Sequence, residues 1–148
     1  MAAVAAIATG CSKSEAEDTP SACLQGPDPY LEAVSSAPAE VRLDGEVAIS
    51  DCLPPEQGSG DLADVGSALV AAATRLNEAA LDDPNGPATV QLGYLVGAAE
   101  RGADHTAGIH NDLVLRLNTA AMFDPSGKPS PEFERAFERG YEAGKETG

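Results

Sequence analysis

From Leu62 onward the apolar residues recur at steps of three and four: Leu62, Val65, Leu69, Ala72, Leu76 and Ala80. That spacing lays a single stripe along an α-helix with about 3.6 residues per turn, and a strand of period two cannot bury it on one face. Asp61 is placed to cap this helix, and Asp82-Asp83-Pro84-Asn85-Gly86 breaks it. A second segment opens near Pro87, a favoured first-turn residue, and runs to about Gly102. Val90, Leu92, Tyr94, Leu95 and Val96 cover nearly all its faces, which makes it the most buried helix; a buried strand over 89–96 is the alternative. Ile109, Leu113, Leu117 and Ala120 mark a third helix, closed by Asp124-Pro125-Ser126-Gly127. A fourth opens with Ser130-Pro131-Glu132 and carries Phe133, Phe137 and Tyr141 at i, i+4 and i+8.

The region before this bundle is more irregular. A short helix fits Asp28 to Ser36, with Pro29 in its first turn and Leu31 and Val34 on one side, and Pro38 stops it. Val41 to Ile49 reads VRLDGEVAI, in which Asp44-Gly45 is a two-residue hairpin signal between alternating apolar residues. An isolated hairpin is marginal in water, so it has to pack on helices or gain a third strand. Residues 54–60 form a loop. The expected fold is therefore mainly α, a small bundle of about four helices with a short N-terminal β-hairpin or extended segment. Two Gly-xxx-Gly steps, Gly93–Gly97 and Gly140–Gly144, fall in the second and fourth of these helices. Each interior glycine costs about 1 kcal/mol against alanine, so the stripes are expected to let helices approach closely or to make room for neighbouring aromatics.

At the N-terminus, residues 2–9 (AAVAAIAT) form an apolar run far shorter than the ~20 residues that span a bilayer. It suits the apolar and cleavage regions of a signal peptide. The segment Ala8-Thr9-Gly10-Cys11 resembles a bacterial lipobox, and SKSEAEDTPSA after it is polar, aperiodic and suited to a tether. The resemblance covers about the first twenty residues. It implies a signal-peptide remnant over 1–10 and a lipid-anchored tether over 11–22 with the lipid on Cys11, so that the protein is exported and held at the outer face of the cell membrane or in the periplasm; chain length and periodicity give a single helical domain over 23–148. With Cys11 spent on lipid, Cys23 and Cys52 remain as a pair, and export permits a disulfide between them. Two free buried thiols are the alternative. Their spacing excludes a CxxC metal site.

Charge narrows the partners. The chain has a formal net charge of −15, and between Ser14 and Thr74 a single basic residue, Arg42, stands among twelve acidic ones. Binding nucleic acid through phosphates needs clustered Lys and Arg, so that class is excluded, and an anionic membrane surface would repel the domain. Any membrane attachment falls to the lipid.

Catalytic signals are sparse. Ser126-Gly127-Lys128 lacks the glycine spacing of a phosphate loop, and Asp82–Gly86 lacks the length and terminal Glu of an EF-hand. The cluster that can be argued is Asp104, His105, His110 and Asp112, since imidazole and carboxylate together can bind a metal or move protons near neutral pH. The two histidines are five apart, whereas helical metal pairs lie three or four apart, so capping or surface hydrogen bonding is the expected role. The expected function is a non-enzymatic envelope module that binds a protein or a ligand in a helix groove, with no cofactor. The alternative is an extracytoplasmic metal-binding protein or hydrolase that uses the His105/His110 region.

Overall fold

The computed structural model describes residues 18–148, and Cys11 with its lipobox lies outside them. Five α-helices carry the fold: α1 (Pro27–Val34), α2 (Ser59–Asp82), α3 (Pro87–Ala103), α4 (Asn111–Ala121) and α5 (Pro131–Thr147). The bundle expected from periodicity is present, and Thr89–Val96 is helix rather than strand. Among the described residues none is long and apolar enough to cross a membrane.

The hairpin is a correction. Only one antiparallel bridge forms, Leu43 to Val47, and the described residues contain no strand. Three residues, 44–46, make the turn: Leu43 and Val47 exchange both backbone hydrogen bonds, at 2.8 and 3.0 Å. Asp44 and Gly45 both take positive φ (49° and 78°), as the Asp-Gly signal required. The ladder stops there because Val41, Leu43 and Ile49 all turn into the helical core and are fully buried. Alternation does not decide their burial when helices cover the segment.

Other boundaries shift for local reasons. The second helix starts two residues ahead of Asp61, after Gly58, and Asp61 sits in its first turn, where its charge suits the positive end of the dipole. Leu31 is only partly buried, and Tyr30 fills the core instead, its hydroxyl donating to the Cys23 carbonyl at 2.9 Å. Ile109 precedes α4 and is 44% exposed, while Leu113, Leu117 and Ala121 form the buried line. The Ser130 hydroxyl caps α5 by accepting from the Phe133 amide at 3.2 Å. Residues 19–22 are packed rather than tethered, for Thr19 and Ala22 are buried and the chain coils into a 3-10 turn at Ser21–Leu24. Cys23 and Cys52 are disulfide-bonded, with 29 residues of separation. On the loop-entropy model that closure stabilises by about 3.5 kcal/mol.

The most extensive helix contact joins α3 and α5. They run parallel, for Val90, Tyr94 and Ala98 of α3 meet Gly140, Gly144 and Gly148 in that order. A Cβ at Gly93 would lie 2.0 Å from the Phe137 carbonyl oxygen, and one at Gly140 would lie 1.9 Å from that of Val90. Gly97 and Gly144 sit as tightly, each 2.3 Å from a carbonyl oxygen of the facing helix by the same construction. The two glycine stripes therefore interlock backbone to backbone. The dispersion gained by such close approach offsets their poor helix propensity.

Candidate functional site

The four residues singled out from sequence do not converge. Asp104 is exposed and pairs with Lys145. His105 is exposed on an open cavity of about 700 Å³ lined also by Asp18, Arg101, Leu53 and Pro54. Asp112 is exposed in the first turn of α4. His110 is fully buried at the N-terminus of that helix. Among the described residues no group of three His, Cys, Asp or Glu side chains is placed to hold a metal. Arg101 in that cavity is already engaged, since its guanidinium donates to the carbonyls of Lys145 and Glu146 at the end of α5.

His110 instead belongs to a buried hydrogen-bond chain. Gln57 uses its amide nitrogen to donate to Thr19 Oγ1 (3.0 Å) and the Cys52 carbonyl (2.9 Å). Its Oε1 must therefore accept, and His110 Nε2–H donates to it at 2.8 Å. Among the described residues Nδ1 has no partner. A proton there would be buried without an acceptor, and burial holds the His110 pKa below the ordinary imidazole value. The group is a neutral structural tie between α4, the loop after Cys52 and the start of the domain. Glu100 is similarly committed, accepting from Asn118 at 2.8 Å and from the Tyr141 hydroxyl. That hydrogen bond to Glu100, followed by burial, pushes the Tyr141 phenol up.

The open surface lies elsewhere. A groove of about 710 Å³ runs between α2 and α4, walled by Val70, Asn77 and Leu81 on one side and Leu115, Ala120 and Phe123 on the other. Leu115 is 66% exposed and Phe123 is 62% exposed. A second cavity of about 440 Å³ adjoins it, shares Asn77, Leu81, Phe123 and Pro125, and is lined also by Phe133. Asn77, only 4% exposed, lies on the wall common to both. Its Nδ2 donates to the Phe123 carbonyl at 2.7 Å, and among the described residues its Oδ1 has no donor.

Sequence reasoning passed over these residues. Leu115 falls midway between Leu113 and Leu117, about 200° from either on the helix wheel, so it points away from the line that defines the core face. That off-face leucine was a usable signal. Asn77 and Phe123 had none, because one is a polar residue beside core positions and the other follows the helix end. Comparison of the chain with protein-family models, with curated proteins and with solved structures finds no match to any of them.

Proposed function

We propose that this is an exported lipoprotein, anchored through a lipid on Cys11 at the outer face of the bacterial membrane, whose helical domain is a non-enzymatic binding module. The observation that supports binding is the α2–α4 groove, with two large apolar side chains, Leu115 and Phe123, each more than 60% exposed beside it. Contiguous exposed apolar surface on a chain this strongly charged marks a contact site better than isolated surface residues do.

Two measurements test this. Mass spectrometry of the protein from its native envelope should find a diacyl or triacyl mass on Cys11; an unmodified thiol there removes the anchor. In-cell cross-linking should give a discrete adduct that weakens in a Leu115→Ser/Phe123→Ser double variant. An adduct pattern unchanged by that variant would reject the groove as the contact site.

A further inference from the structure

We propose that His110 is an acid-operated latch: neutral, it ties the start of α4 to the body of the domain, and protonated it lets the α3–α4 connection, residues 105–110, swing out with the first turn of α4. This inference does not depend on the groove.

The connection has little else to hold it. It forms turns rather than helix, and Ala107 and Gly108 take positive φ (50° and 90°), a conformation that costs alanine about 1–2 kcal/mol. Its backbone hydrogen bonds are local, for the amides of Thr106, Ile109 and Asn111 donate to the carbonyls of Ala103, Thr106 and Gly108. The buried Thr106 hydroxyl also donates to Ala103. Among the described residues, His110 alone in this stretch has a hydrogen bond to a segment beyond α3 and α4, from Nε2 to Gln57 Oε1 at 2.8 Å. Gln57 is itself fixed by Thr19 Oγ1 and the Cys52 carbonyl, and the Cys23–Cys52 disulfide holds that side together. Leu113, Leu117 and Ala121 keep the rest of α4 in the core. The part left to move is the connection and the turn that follows it.

A second proton on the ring acts against the closed position. It would sit on Nδ1, which is buried without a partner among the described residues. The site is also a helix N-terminus, whose unpaired amides carry partial positive charge. Water supplies the acceptor once the connection opens. Charged groups around the ring do not offset this. Asp18, Glu56, Asp64, His105 and Asp112 are exposed, and Asp61 is half-buried in the first turn of α2. Asp104 pairs with Lys145, while on α3 Glu100 is taken by Asn118 and Tyr141 and Arg101 by carbonyls of α5. Burial alone lowers the His110 pKa. The open form therefore binds the proton first, and opening rises by up to about tenfold per pH unit below the ordinary imidazole value of about 6.5.

Hydrogen exchange of the whole chain at about pH 7.5 and 5.5, corrected for the intrinsic pH dependence of exchange, tests the latch. At the lower pH the amides of Thr106, Ile109, Asn111 and Val114 should lose up to about tenfold in protection relative to those of α3 and α5. The loss should vanish in His110→Gln, whose amide can donate to Gln57 but takes no proton, and persist in His105→Gln. Protection that does not change with pH in the wild type overturns the latch. An equal loss in His110→Gln assigns the effect to carboxylates, and a loss shared evenly with α3 and α5 is global unfolding; either also overturns it. Should His110→Gln not fold, the imidazole nitrogen resonances of the wild type decide. The ring must then titrate in step with the loss of protection, and a ring that charges while those amides stay protected overturns the inference.

Discussion

Along α3 and α5, glycines bring two parallel helices together until carbonyl oxygens sit where side chains would begin. Along α2 and α4, leucines and a phenylalanine hold a groove open and leave its walls half in solvent. Both regions are made of ordinary helix with much alanine, and they differ in which side chains occupy the facing positions. Removing Cβ atoms converts surface into core and leaves no room for a ligand. Keeping large side chains off the core line leaves apolar area unburied, at a cost in solubility that the proposed binding role would compensate. The seam should therefore govern stability without affecting binding, and the groove the reverse.

The largest break in that division would come from Gly140→Ala. The new Cβ would meet backbone, which cannot swing aside as a side chain can. About 4 kcal/mol of stability should be lost, outweighing the ~1 kcal/mol gained in helix propensity. Urea denaturation reads this directly, and a neutral result would mean the helices lie farther apart. Next in size, Cys23→Ser/Cys52→Ser should lower stability by about 3.5 kcal/mol. It should leave the cross-link that depends on Leu115 and Phe123 intact, because Cys52 sits between Ser50 and Leu53, which pack on Gly102 at the C-terminal end of α3, away from the groove.

A smaller effect comes from His110. Because burial depresses its pKa, the unfolded chain binds a proton there before the folded chain does. Stability is then full above the unfolded value of about 6.5 and declines as pH falls below it. The urea midpoint should drop between about pH 7.5 and 5.5, less in His110→Gln and unchanged in His105→Gln. An equal drop in both variants would assign the loss to carboxylates. Smallest of all, Leu115→Ser and Phe123→Ser should each stay within about 0.5 kcal/mol of wild type, as exposed positions usually do. Gly66→Ala should stay close to neutral as well, since its Cβ would meet only the Leu113 side-chain tip at 3.3 Å. Strong destabilisation by the serine variants would mean that Leu115 and Phe123 are packing residues and erase the contrast.

The periodicity of the sequence determined the four main helices to within a few residues, because core helices need a stripe at three- and four-residue steps and breakers such as Asp82–Gly86 end them. It also singled out the glycine pairs of α3 and α5, since glycine inside a helix calls for a packing reason. Parity of the cysteines pointed to the Cys23–Cys52 bridge. Tertiary structure alone decided that the two glycine stripes face each other, because spacing within one helix carries no information on its partner. It also placed His110 in a buried chain to Gln57 while His105 faces solvent, and it set Asn77 beside the Phe123 carbonyl, 46 residues away. Periodicity reports which face of a helix is apolar. Which faces meet, and which are left open to bind, depends on how the helices cross in space.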